Sequence, residues 1–435
     1  MLYDKLKKNK RIPFHMPGHK RNTNLLGNDF PYDIDITEIN GFDNLHCPEG
    51  IIKEIENKAK EDYECDNSFV LVNGSTVGIL AGILATVKRG DTVLIARNCH
   101  KSVYNGIELA GAKAEYILPE VDEYGIFRAI EPDILDEKIR LYNPKLVVIT
   151  SPTYEGVNSD VEKLSETAHK YNIPIMLDAA HGAHYVGYAK YADITVMSLH
   201  KTMPALTQCA LAHVNGDIVN PEDYRIKLSM LETSSPSYIL MCSVEGCLDM
   251  KLDYWTFHIE QDKLVKKCKE LRHLKLIDYD ITKLVIFCGY CNINGIKLAE
   301  KLRNEYNIEV EMAAKNYVVL VLTACDDFKN YKLLRKALFQ IDGNLKSEEF
   351  IPVDLPALPE KSSESVINKE LSDFDLSAGK VSAEYVWAYP PGIPLIVPGE
   401  IISEEIIDYI NDNIKLGVNI QSTYSKLPQK IHCQL

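Results

Sequence analysis

Between about residue 69 and residue 215 the chain alternates short β-branched apolar runs with stretches of helical periodicity. The runs Thr92–Ala96, Leu146–Thr150, Ile173–Leu177, Ile194–Met197 and Ala210–Val214 are strand-like and mostly apolar. That is the pattern of strands buried on both faces. Between two of them Val161, Leu164, Ala168 and Tyr171 form one helical stripe, with Ser159 and Glu162 spaced as a capping box ahead of it. Alternation of this kind predicts βαβ units: a mostly parallel sheet with helices on both sides, hence an α/β domain. In such a sheet reactive groups gather at the carboxyl ends of the strands.

The flanks read differently. Residues 1–50 are rich in Pro, Gly, Asn and Asp and predict an extended N-terminal arm. Beyond residue 250 the periods mix, which predicts a smaller C-terminal α+β domain. The expected division is therefore 1–50 arm, 51–250 large domain, 251–435 small domain, with Pro- and charge-rich Val353–Ser365 as a linker or surface excursion.

Composition narrows the classes. The chain has 435 residues, 46% of them apolar, enough for two packed domains and too apolar for a disordered chain. A net charge of -14 argues against a nucleic-acid partner and tolerates a cationic substrate. No apolar run is long enough to span a membrane, and the opening MLYDKLKKNKRIPF has no signal-peptide core, so a cytoplasmic protein is expected. The 11 cysteines follow no disulfide framework and read as thiols. Cys288 and Cys291 form a CxxC pair without a second pair at metal-binding spacing, so no metal site is expected.

Four segments carry chemistry together. Gly74, Ser75 and Thr76 follow an apolar run and open a helical pattern, which offers N–H groups and hydroxyls to a phosphate. The same residues would also serve as a plain helix cap. His100 follows the strand Thr92–Ala96, where an imidazole can stack on a ring. Asp178 ends the strand Ile173–Leu177; a carboxylate there can keep a pyridine nitrogen protonated. Lys201, in Ser198-Leu199-His200-Lys201, closes the next strand and can form an imine, with Ser198 and His200 adding phosphate contacts. Each alone is a common residue at a strand end. In this order on one parallel sheet they make a site for pyridoxal phosphate (PLP), with Lys201, Asp178 and His100 as its catalytic groups.

The sequence resembles the Orn/Lys/Arg (basic amino acid) decarboxylases of PLP fold type I in their short bacterial form. The matching runs are Phe14-His15-Met16-Pro17-Gly18-His19-Lys20, Asp35–Ile39 with Gly41–Leu45, Asn73–Gly78, Asp178–Gly182, Ser198–Lys201, Tyr389-Pro390-Pro391-Gly392-Ile393-Pro394 and Val397–Glu400. They span residues 14 to 400. The resemblance implies a fold-type I large domain and α-decarboxylation of arginine, lysine or ornithine, in a polyamine-forming role. It implies that Gly74, Ser75, Thr76, Ser198 and His200 hold the phosphate, that His100 stacks on the ring, that Ala180 lies against it, and that Asp178 pairs with its nitrogen. Lys201 would carry the cofactor, with His181 nearby at a position where the family varies. Glu232-Thr233-Ser234-Ser235-Pro236 resembles a segment through which Ser234 and Ser235 reach the phosphate of a neighbouring subunit, implying a homodimer with shared sites. The wing domain of the large family members has no counterpart here, so their higher assembly is not expected.

No arginine occurs after Arg335, so the last hundred residues cannot supply the bidentate carboxylate clamp that an aminotransferase takes from its C-terminal domain. That favours loss of CO2 over another fold-type I reaction (transamination or a lyase step), and the presence of both Lys201 and Asp178 disfavours a non-catalytic relative. A cationic substrate side chain needs an acid. Glu38, Glu384 and Glu400 are the candidates, each equally readable as a surface residue.

Overall fold

The computed structural model describes residues 1–9, 17, 20, 31–350 and 369–434. The Phe14–Lys20 run, apart from Pro17 and Lys20, and the Val353–Ser365 linker lie outside the described residues.

The large sheet has seven strands: β1 (Asn67–Leu71), β2 (Thr92–Ala96), β3 (Lys113–Ile117), β4 (Leu146–Thr150), β5 (Ile175–Asp178), β6 (Ile194–Ser198) and β7 (Ala210–Val214). Their order is β1-β7-β6-β5-β4-β2-β3. All run the same way except β7, which pairs antiparallel with both neighbours. Strands β5, β6 and β7 are buried at every position, as continuous apolar runs under helices on both faces should be. The carboxyl ends of β1, β2, β4, β5 and β6 therefore open on one edge, as expected for a mostly parallel α/β sheet.

The helix Gly74–Thr86 sits hard against this sheet. A Cβ on Gly78 would lie 2.8 Å from Leu71 Cδ1, and one on Gly82 would lie 2.6 Å from Met176 Sδ. Only glycine permits that approach, and it brings the helix start to the strand ends.

The stripe Val161, Leu164, Ala168 forms a helix, Val161–His169, but its cap differs from the expected box. Asp160 accepts the Lys163 N–H at 3.2 Å, while Ser159 Oγ accepts the N–H of Ile130. Aspartate one position closer took the role because both residue types cap equally well. Tyr171 lies past the helix end and is exposed.

The arm begins with a two-turn helix, Leu2–Lys8, that buries Leu2 and Leu6; Glu245 accepts the Leu2 N–H at 2.7 Å. In residues 31–50 the Asp43 carboxylate gathers the N–H groups of Asn44, Glu49, Gly50 and Ile52 at 2.8–3.0 Å. This acceptor fixes the turn that enters the helix Ile51–Asp62.

Beyond residue 250 the described residues hold antiparallel sheets. One comprises β8 (Lys275–Ile277), β9 (Lys283–Phe287), β10 (Met312–Ala313) and β11 (Tyr317–Val321), ordered β10-β11-β9-β8, with a core of its own. The other elements are the pair β12 (Lys369–Asp373) and β16 (Lys430–Gln434), and the sheet of β13 (Val386–Ala388), β14 (Pro394–Ile396) and β15 (Ile420–Ser422), ordered β14-β13-β15. They close around Phe374, Ile402 and Ile410. Cys288 and Cys291 lie buried in the first of these bodies as free thiols. Burial pushes the Cys291 thiol up to about 11, against thiolate chemistry. Among the described residues no helix is long and apolar enough to cross a membrane.

Candidate active site

A cavity of about 320 Å³ opens at the carboxyl edge of the large sheet. It is lined by Gly74, Ser75 and Thr76, by His100, by Asp178, Ala180 and His181, and by Ser198, His200 and Lys201. The sheet thus brings to one place ten residues that lie across more than a hundred positions of sequence.

Lys201 sits in the short helix Leu199–Thr202 that follows β6 directly. Its Nζ is 3.0 Å from His181 Nε2. Burial lowers the pKa of the amine, only partly opposed by the Asp178 and Glu311 carboxylates, which makes the nucleophilic neutral form easier to reach. Asp178, 2% exposed at the end of β5, accepts the Ala180 N–H at 3.2 Å. Burial raises its pKa against the pull of Lys201.

His100 caps the helix Lys101–Ala110: its Nδ1 accepts the Ser102 N–H at 3.2 Å and contacts Ser102 Oγ at 2.8 Å. This leaves the ring proton on Nε2. Burial, then the charges of Lys201 and Lys101, push the imidazole down to about 4, so it is neutral at pH 7. The His181 ring packs edge-on to Tyr154, with centroids 4.8 Å apart, and its buried Nδ1 has no partner.

The phosphate end is a set of donors. The helix Gly74–Thr86 starts at Gly74, whose φ of +74° has open space where a Cβ would stand, and its first turn makes no side-chain cap. Ser198 Oγ is fully buried, lines the cavity and has no hydrogen-bond partner. A buried hydroxyl left unsatisfied costs about 1–3 kcal/mol. An anion between Ser198, Ser75, Thr76 and the helix start would remove that cost. Amine, carboxylate, imidazole and anion cradle together fit PLP.

Other candidates lie elsewhere. Ser234 and Ser235 are exposed in the turn between the helices Pro221–Leu231 and Tyr238–Asp249 and do not line this cavity. Glu38 is half-buried and also outside it, with Oε1 buried and unpartnered. Glu384 is not brought to the pocket: it is buried among the N–H groups of Tyr424, Ser425 and His432 at 2.7–3.0 Å. Glu400 is not brought to it either, because Arg97 holds both its oxygens, at 3.1 and 2.9 Å.

Two acids that do line the cavity are absent from the sequence-based set: Glu155 and Glu311. Glu155 is buried and accepts from Tyr317 OH at 2.9 Å and from Thr153 Oγ1 at 3.3 Å; burial raises its pKa. Glu311 is exposed at the cavity mouth and accepts from Tyr154 OH at 2.5 Å. Glu155 follows β4 in Thr153-Tyr154-Glu155-Gly156, so the strand-end rule that selected Asp178 was a signal for it as well. Glu311 immediately precedes β10, and nothing local marks it.

The site also has a roof. Tyr389, Pro390, Pro391 and Ile393 line the cavity from the C-terminal body. Gly392 presses on His100: a Cβ there would lie 3.0 Å from Nε2.

Comparison with known proteins bears on the family and the fold. The family model described as Orn/Lys/Arg decarboxylase, major domain, matches residues 2–278, and that of the family's C-terminal domain matches 351–418. The chain is 34% identical to the uncharacterized protein YaaO of Bacillus subtilis (strain 168), over 94% of this chain and 92% of YaaO. It is 30% identical to the arginine decarboxylase of the same organism, over 97% and 94%. Among solved structures, the constitutive lysine decarboxylase of E. coli superposes with a TM-score of 0.80 at 17% identity, covering 100% of this chain and 81% of that one, a likeness of fold.

Proposed function

The chain belongs to the Orn/Lys/Arg decarboxylase family and is a carboxy-lyase acting on an amino acid, and from that premise we propose that it removes the α-carboxylate of a basic amino acid (arginine, lysine or ornithine) with PLP held at Lys201. The observation that carries this reading is the single cavity in which a depressed amine, a buried carboxylate, a neutral imidazole and an empty-handed hydroxyl face one another.

PLP, when bound, supplies an aromatic electron sink for the charge left at Cα as CO2 departs. The protein's own groups do the rest. Lys201 would hold the cofactor through its amine. Asp178, buried at the end of β5, would pair with the ring nitrogen and keep it protonated. The neutral His100 ring would lie against the cofactor without adding charge. Ser75, Thr76, Ser198, His200 and the helix start hold the phosphate. His181 Nε2, 3.0 Å from Lys201 Nζ, is placed to exchange a proton with the amine that returns one to Cα. The loop 389–393 and Tyr154 exclude water. The substrate's far cation is met by Glu155, with Glu311 at the mouth.

Two copies would share sites, with Ser234 and Ser235 of one reaching the phosphate of the other; their exposure outside their own cavity supports this. The amine product suits a cytoplasmic polyamine-forming step. The test is incubation of the PLP-loaded protein with arginine, lysine and ornithine, following CO2 and keto acid. Release of CO2 with amine is expected, and Lys201→Ala abolishes it. Keto acid without CO2, or undiminished turnover by Lys201→Ala, refutes the reading.

A further inference from the structure

Arg97 is the first residue after β2, three positions before His100, yet its side chain turns away from the Lys201 cavity and is 0% exposed. Apart from one bond from Nη1 to Tyr104 OH at 3.3 Å, its side-chain hydrogen bonds go to the segment that follows the roof loop. Nε and Nη2 donate to the two oxygens of Glu400 at 3.1 and 2.9 Å, in the bidentate geometry that suits a guanidinium. Nη1 donates to Pro394 O at 2.7 Å and Nη2 to Leu395 O at 3.4 Å. The guanidinium lies 5.7 Å from the Tyr104 ring centre and 5.4 Å from that of Tyr116. Glu400 in turn accepts the Val397 N–H at 2.8 Å. Residues 394 to 400 are thus tied to the end of β2 by one fully buried pair.

The roof loop hangs directly from this anchorage. Gly392 O accepts the Lys101 N–H at 3.1 Å, and a Cβ on Gly392, whose φ is +88°, would stand 3.0 Å from His100 Nε2, so that ring or loop would have to shift. Loop and imidazole are therefore in contact, and both are held by residues 97–101. A charged pair has no advantage over an apolar seam for stability, because desolvation of both ions offsets their attraction. What it adds is a single register: the fork accepts one placement of the carboxylate and of the two carbonyls.

We propose that Arg97 and Glu400 are positioning residues for the decarboxylation, fixing the depth of the loop Tyr389–Ile393 over the cavity and, through Gly392, the plane of the His100 ring. The inference rests on the Lys201 cavity being the catalytic site.

The test compares PLP-loaded wild type, Glu400→Gln, the paired apolar replacement Arg97→Met/Glu400→Leu, and Gly392→Ala. Four readings are taken: melting temperature, kcat and KM separately, and the visible circular dichroism of the bound cofactor. Glu400→Gln should lower both melting temperature and kcat. The paired replacement should recover the melting temperature, as apolar substitutes for buried pairs do. Its kcat should stay about a hundredfold low, the scale of an ångström-level misplacement, with altered dichroism and little change in KM. Gly392→Ala, which leaves the pair intact, should reproduce the kcat and dichroism changes. A paired replacement with wild-type kcat and dichroism would make Arg97 and Glu400 a mere fastening and overturn the proposal. If that protein does not fold, Gly392→Ala decides: wild-type kcat and dichroism there overturn it equally. Failure of the catalytic reading is separate, since it shows in Lys201→Ala irrespective of these variants.

Discussion

Replacing Glu155 by Gln removes one negative charge from the cavity wall while keeping acceptors for Tyr317 OH and Thr153 Oγ1. The shape is nearly unchanged, so the effect isolates the charge. Glu155 is 6% exposed, and a cation about 4 Å away at an effective dielectric near 20 would gain roughly 4 kcal/mol. Part of that is lost to the cation's own desolvation, leaving on the order of 2–3 kcal/mol, or about a 30- to 150-fold loss in kcat/KM. Glu311 is exposed, where a pair is worth at most about 1 kcal/mol, so Glu311→Gln should cost only about fivefold. The assay is kcat/KM for arginine against citrulline and for lysine against norleucine, pairs that differ chiefly in the terminal charge. Wild type should favour the cationic member strongly. Glu155→Gln should erase most of that preference while leaving the neutral analogues unchanged. Tyr317→Phe, which removes the hydroxyl orienting Glu155, should lie between. Equal losses on cationic and neutral substrates, or a larger effect at Glu311 than at Glu155, would refute the assignment of Glu155 as the reader of the side chain.

Asp178→Ala should lower kcat roughly 1,000-fold, the cost of losing a preorganised partner for developing charge, while fluorescence titration still shows PLP binding; near-normal kcat would exclude its role at the ring nitrogen. Acid should destabilise the coenzyme-free protein through His100 and His213, whose imidazoles burial holds down to about 4 and about 3. The unfolded chain binds these protons near pH 6.5 and the folded chain refuses them, so the stability they confer is complete above pH 6.5. It is lost as pH falls toward 4, by on the order of a few kcal/mol. Denaturant melts at pH 7, 5.5 and 4.5 read this directly, and a flat or rising stability would contradict it. His213→Gln should flatten part of the slope.

The large sheet was legible because its information is local. Runs such as Ile194–Met197 state their own burial, and β2, β4 and β7 fall on the expected residues. The strand-end rule selected Asp178, Ser198, Lys201 and His100 without any tertiary knowledge, and the structure brings them to one cavity because each lies within a few residues of a strand that positions it. Helix boundaries were less legible for a related reason. Ser159 and Asp160 are equivalent caps by residue type, and the choice between them was made by Ile130 across the fold, which takes the Ser159 hydroxyl.

The acids were misjudged where sequence adjacency stood in for spatial adjacency. Glu384 and Glu400 flank a specific motif, but flanking a motif says nothing about which way a side chain turns. Glu384 has four donors around it, and each lies about forty or more positions away. Glu400 meets Arg97 across 303 positions. A buried carboxylate is as readily a structural counter-ion as a substrate ligand, and only its partners separate the two. Where every oxygen is already held by protein donors, as in Glu400, an incoming cation would have to break a buried pair, which typically costs 3–5 kcal/mol. Glu155 accepts from two neutral hydroxyls, Thr153 and Tyr317, and among the described residues no guanidinium clamps it. That difference in what already neutralises the carboxylate, rather than nearness to a motif, marks the acid that can receive a substrate cation.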